Sequence, residues 1–228
     1  MARLPRLAVA GLPHLVCLPG HAGQTVFRDD DDRRQFLAAL RESALQHGCA
    51  VHAYVLLDAE VWLLLTPHTA PALGLLMQGL GRRYVAGFNR RHGRSGTLWS
   101  GRFRASVVQP GAMGRVAMLA IDVLPAQLGM VLTADDFPWS SARHHLGGAR
   151  DPVVTMGRSY WDLGNTPFER EAAYRRLIDE GLNAAEWQRV KAAAHTGWAL
   201  GDAAFLSQLA EAAGRPVSPS ARGRPRRL

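Results

Sequence analysis

Cysteine is scarce: Cys17 and Cys49 are the only two in 228 residues. With no CxxC pair and no Cys/His ladder, they build neither a disulfide framework nor a zinc signature. A reducing cytoplasm suits such a chain. Long hydrophobic runs are missing as well, for no apolar stretch reaches the roughly 18 residues that a membrane span needs. The N-terminus carries Arg3 and Arg6 but not the apolar core of a signal peptide. Lysine is nearly absent, Lys191 being the one basic residue of 27 that is not arginine.

Acid is missing from two places. Between Arg82 and Arg104 there are seven arginines and no Asp or Glu, and between Arg215 and Leu228 five arginines and none. The formal net charge is +8, so the rest of the chain is slightly acidic. Two basic islands on an acidic body read as contact surfaces rather than a solubilising coat, and nucleic acid is the leading partner class.

The apolar pattern orders the rest. "HLVCL" (14–18), closed by Pro19-Gly20, reads as a first strand. Asp29 to Asp32 supply an N-cap and first-turn charge for a helix carrying Phe36, Leu37, Leu40 and Ala44, which Gly48 ends. "AVHAYVLL" and "EVWLLLT" are two strands joined at Asp58-Ala59. Thr69 and Pro71 open a second helix with Leu73, Leu76, Leu80, Tyr84 and Phe88 at steps of three and four.

A fourth strand (104–110) and a helix over 112–124, ending before Pro125, complete the core. The order β-α-β-β-α-β predicts an α+β, ferredoxin-like split βαβ domain over residues 1–130, with helices on one sheet face and the other face free to bind. A mainly helical extension follows over 131–214, with helices at 166–182, 184–195 and 201–213. The tail, 215–228, lacks apolar periodicity and is expected to be disordered when unbound.

"GRRYVAGFNRRHGRSGTLWSGRFRAS" (81–106) closely resembles the segment after the hairpin in REP-associated tyrosine transposases, relatives of the single-tyrosine insertion-sequence transposases. "FRDDDDRRQFL", "VHAYVLL", "DDFPWSSARHH" and "GRSYWDLGNTPFEREAAYRRL" match in the family's order, so the resemblance covers most of residues 1–180. It implies a ferredoxin-like domain that binds single-stranded or hairpin DNA, dimeric in some relatives. It also implies a His-hydrophobic-His pair on a central strand holding a divalent cation such as magnesium, and a helix Tyr that attacks the phosphate.

This sequence departs from that pattern at three points. Where the family has Pro-Asn-His-hydrophobic-His, the chain has Asp58-Ala59-Glu60-Val61-Trp62, and Trp62 has no lone pair to offer a metal. The nucleophile column falls on Ala120, in a helix without Tyr. The family's basic first loop becomes "PGHAGQ" (19–24).

No catalytic residue, metal ligand or cofactor is therefore assigned. Glu60 reads as a residue keeping an exposed hairpin edge polar, with a remnant metal ligand as the lesser alternative, Trp62 and Trp139 read as packing residues, and His14, His52 and His92 as structural or surface histidines. The expected function is DNA binding without cleavage, through Arg82, Arg83, Asn89, Arg90, Arg91, His92, Arg94, Arg102 and Arg104. Arg222, Arg224 and Arg226 lie in an Arg-Gly-Arg-Pro-Arg tail that resembles an AT-hook core. The alternative is an active transposase with altered catalytic residues; a decayed gene product and an RNA-binding sheet rank lower. Whether a homodimer forms stays open.

Overall fold

A computed structural model describes residues 6–219. Strands β1 (His14–Pro19), β2 (Cys49–Leu56), β3 (Glu60–Pro67) and β4 (Arg104–Val107) form one sheet in the order β2-β3-β1-β4, every neighbouring pair antiparallel. Helix α1 (Asp30–His47) joins β1 to β2, and α2 (Ala70–Arg91) joins β3 to β4. Each crossover skips one strand, which is the split βαβ topology that the hydrophobic pattern predicts.

Alternate residues of the strands divide the interior in two. On one face Val16, Leu18, Val61, Leu63, Leu65 and Leu56 pack against Phe36 and Leu40 of α1 and against Leu73, Leu76, Leu80, Tyr84 and Phe88 of α2. Fully burying a side chain of this size contributes about 1.5–3 kcal/mol. Helix α1 starts as expected, Asp29 accepting the Asp32 N–H at 3.0 Å, and Gly48 ends it in the left-handed region at φ 63. Thr69 precedes α2 in an extended conformation, but its hydroxyl makes no capping bond.

The other face is not free. Leu15, Cys17, Ala53, Val55, Trp62 and Leu64 are covered by α3 (Ala112–Gln127) through Ala117, Ala120, Ile121 and Leu124, and by α7 (Ala184–Thr196) through Val190, Ala193 and Ala194. Tyr174 of α6 (Pro167–Glu180) joins the same cluster. The reason is already in the strands: "EVWLLLT" is apolar without alternation, the pattern of a strand buried on both sides. Helix α3 also runs past Pro125 to Gln127, because proline in a last turn forfeits only one helical hydrogen bond.

Strand β2 would expose an unpaired edge, and the "FPWSS" segment closes it. Leu56 N–H donates to the Trp139 carbonyl (2.9 Å), Ser141 N–H to the Tyr54 carbonyl (3.0 Å), and Tyr54 N–H to Ser141 Oγ (2.9 Å). Thr155 N–H extends the cover to the Val51 carbonyl at 2.7 Å. Short helices α4 (Ala142–His145) and α5 (Arg158–Trp161) continue this layer.

At the opposite edge Val107 packs with Leu209 of α8 (Ala203–Ala213) and with Val217. Val217 is buried and its carbonyl accepts the Ala199 N–H at 2.9 Å, so residues 215–217, expected to be disordered, are docked. Arg222, Arg224 and Arg226 lie outside the described residues.

Candidate nucleic-acid interface

The loop between α2 and β4 is tied to the loop after β1. His21 N–H donates to the Leu98 carbonyl (2.9 Å), Ser100 N–H to the Pro19 carbonyl (2.8 Å), and Gln24 Nε2 to the Leu98 carbonyl (2.8 Å). This anchoring holds Arg102, Phe103 and Arg104 beside two adjoining hollows. One, of about 280 Å³, is walled by Arg6, Arg102, Phe103, Arg104, Trp198 and Arg215. The other, of about 380 Å³, shares Arg6, Arg102 and Phe103 and adds Met77, Gln78 and Trp99. Arg6 joins them: its guanidinium lies 3.8 Å from the Phe103 ring centre, and its Nε donates to the Phe103 carbonyl at 3.0 Å.

Among the described residues no carboxylate lies within ion-pair distance of Arg102 or Arg104. The groove brings together four arginines and three aromatic rings beside the anchored loop. The sequence carries no sign that Arg6 joins this groove, and it places Arg215 in the second basic island without showing that folding brings it to β4.

The rest of the first island divides. Arg82 and Arg90 are exposed on α2. Arg83 instead donates to Ser43, Glu42 and Gln46 of α1. Arg91 forks onto Asp29 (2.6 and 2.8 Å) and reaches buried Asp32 (2.6 Å), while His92 Nε2 lies 2.9 Å from both Asp32 oxygens. Hydrogen bonding to Arg91 pulls the Asp29 carboxyl down to about 2. Asn89 donates to the Gly96 carbonyl, and Arg94 to Gln24 and the Thr97 carbonyl. Arg91 and His92 thus fasten the end of α2 to the start of α1, Arg83 ties α2 to the last turns of α1, and Asn89 and Arg94 brace the loop that follows α2.

The sequence matches no protein-family model and no curated protein. Among solved structures it is similar to a REP-associated tyrosine transposase bound to a REP hairpin, with TM-score 0.52 and 16% identity over 70% of this chain and 93% of that one. The chain has the fold of a REP-associated tyrosine transposase. A putative transposase from Deinococcus radiodurans R1 is 22% identical over 57% of this chain and 94% of its own, but at TM-score 0.36 that likeness carries no weight.

The positions where the transposase resemblance puts its chemistry are filled by other things. Ala120 is fully buried in the core under the second sheet face. Trp62 is 1% exposed, its ring centre 5.8 Å from that of His195, and its indole N–H has no partner. Glu60 begins a central strand rather than an edge, half-buried, with Oε2 3.8 Å from Cys17 Sγ. A hard cation between two imidazoles does not fit residues of this kind.

Nor does another tyrosine stand in for the nucleophile. All four tyrosines of the chain are at most 3% exposed. Tyr54 donates to Asp151 (2.6 Å), Tyr84 to the Val26 carbonyl (2.5 Å), Tyr160 to the His145 carbonyl (2.7 Å) and Tyr174 to Asp122 (2.7 Å). Burial raises every one of these phenols above its ordinary value, Tyr160 to about 12 and the others further.

Folding also makes one cluster of which the sequence marks only Glu60. Cys17 of β1, Glu60 of β3 and His195 of α7 bring their ligand atoms within 4.8 Å of one another.

Proposed function

We propose that the protein binds single-stranded or hairpin DNA in the groove beside β4 and does not cut it. The observation that carries this reading is the meeting of Arg6, Arg102, Arg104 and Arg215 with Phe103, Trp99 and Trp198 at one anchored loop. Guanidinium groups fork onto phosphate oxygens, and aromatic rings stack on unpaired bases, so the two residue types together suit a strand whose bases are accessible. Arg82 and Arg90, exposed on α2, extend the positive surface. A shared fold with a transposase described as bound to a REP hairpin points to the same class of ligand. The absence of cleavage rests on chemistry: a phosphotyrosyl step needs an accessible phenolate, and the four phenols are buried, hydrogen-bonded and held protonated.

The test is to incubate labelled hairpin and linear single-stranded DNA with the full chain and magnesium or manganese, and to resolve them on native and denaturing gels. The expected result is a shifted native band with no cleavage and no denaturant-resistant adduct. An adduct would overturn the non-catalytic part; absence of any shift would overturn the binding.

A further inference from the structure

We propose that Cys17, Glu60 and His195 bind one borderline-soft divalent metal ion, of the zinc class, leaving a fourth coordination position open to an anion. The three residues come from separate elements. Cys17 and Glu60 lie on the same face of adjacent strands, in a register that pairs Cys17 with Trp62 and Pro19 with Glu60. His195, in the last turn of α7, closes over them with its ring against Trp62.

Ligands of a tetrahedral zinc with metal–sulfur and metal–oxygen bonds of about 2.3 and 2.0 Å stand roughly 3.5 Å apart. Cys17 Sγ and Glu60 Oε2 are already 3.8 Å apart, and all three donors lie within 4.8 Å, so small rotamer adjustments close the site. A thiolate, an imidazole and a carboxylate form a donor set for zinc or cobalt, unlike the all-oxygen shell of magnesium. Only Glu60 falls on a column of the paired histidines in the transposase resemblance; the other two ligands are this chain's own.

Charge favours an anion at the fourth position. A thiolate and a carboxylate neutralise the dication, and Arg104, the register partner of Cys17 on β4, adds a positive charge beside it. The unpartnered N–H of buried Trp62, which flanks His195, is a polar loose end beside the same cluster. Hydroxide and a phosphate oxygen share the required chemistry. The metal would bolt α7 to the sheet, and the inference stands whether or not the groove binds DNA.

Tag-free full-length protein, stripped with chelator, would be titrated with Co²⁺ and then with Zn²⁺. One Co²⁺ per chain is expected, with a thiolate-to-metal charge-transfer band and tetrahedral d–d bands that Zn²⁺ abolishes. Cys17→Ser should remove the charge-transfer band. Glu60→Gln and His195→Gln should weaken affinity by at least the ~10–100-fold that loss of an outer-shell partner costs. If Cys17→Ser fails to fold, His195→Gln decides, because His195 is only half-buried. Absence of a charge-transfer band in folded wild type, or unchanged affinity in His195→Gln, would overturn the site. Inorganic phosphate added to the Co²⁺ form should shift the d–d bands; spectra unmoved by phosphate and by pH would overturn the open position.

Discussion

Replacing Asp122 by alanine should cost the second core much of its stability. Asp122 sits on α3 with no exposed surface and accepts from Ser141 Oγ at 2.6 Å and Tyr174 OH at 2.7 Å, and His145 Nδ1 lies 2.6 Å from its Oδ2. His145 Nε2–H donates in turn to the His52 carbonyl at 3.0 Å. One carboxylate thus ties α3 to the "FPWSS" segment, α4 and α6. Each stranded buried donor costs about 1–3 kcal/mol, and the alanine strands the hydroxyls of Ser141 and Tyr174 and takes the partner from His145 Nδ1. These contributions overlap, so Asp122→Ala should lose about 4 kcal/mol and Asp122→Asn, which keeps the shape and one acceptor, about half of that. In a chain of this size 1 kcal/mol moves the melting temperature by roughly 2–4 °C. Thermal unfolding followed by circular dichroism at neutral pH should therefore drop by about 10 °C for the alanine variant. A loss below about 1 kcal/mol would refute the view that this network holds the C-terminal helices to the sheet.

Arg91→Ala should lower the urea midpoint, because it strips a partner from buried Asp32, whereas Arg90→Ala should leave it unchanged. Arg91→Ala should also flatten the acid limb of stability. The depressed Asp29 carboxyl contributes above its unfolded value near 4 and loses that contribution as pH falls through about 2, which urea midpoints measured against pH will register. His14, lowered to about 4 by burial, is fixed as the Nδ1–H tautomer because Nε2 accepts the Val9 N–H while Nδ1 donates to the Leu12 carbonyl. Its neutral form is the folded one, so stability should be full above pH ~6.5 and fall by on the order of 3 kcal/mol between pH ~6.5 and ~4, a limb that His14→Gln should lack. Ala120→Tyr should destabilise by ~1–3 kcal/mol or more through overpacking and still give no DNA adduct on a denaturing gel.

The path of the chain was legible because its signals are local: apolar spacing in α1 and α2, an Asp cap, Gly48, and the two-residue turn before Glu60. The cover on the second sheet face was legible only in part. "EVWLLLT" signals burial on both sides, but nothing local says that α3 and α7 supply the cover. That cover also leaves no open sheet on which RNA bases could stack. The basic island illustrates the limit of counting charge. Its arginines look equivalent in sequence, yet Asp29 and Asp32 capture Arg91, and Glu42 captures Arg83. Arg6, Cys17 and His195 were not legible as site residues, and Arg215 and Glu60 were legible only without their partners, for one reason: each matters through residues distant in sequence, and a pairwise approach in space leaves no periodic trace.

Binding of a labelled hairpin by Arg102→Ala/Arg104→Ala, measured against salt, tests the central claim most directly. For two lost phosphate contacts, affinity should fall and the slope of log K against log salt should flatten by about 1.4 if they lie on single-stranded DNA and about 1.8 if they lie on the duplex stem. Wild-type affinity and slope in a folded double variant would contradict the assignment of the groove.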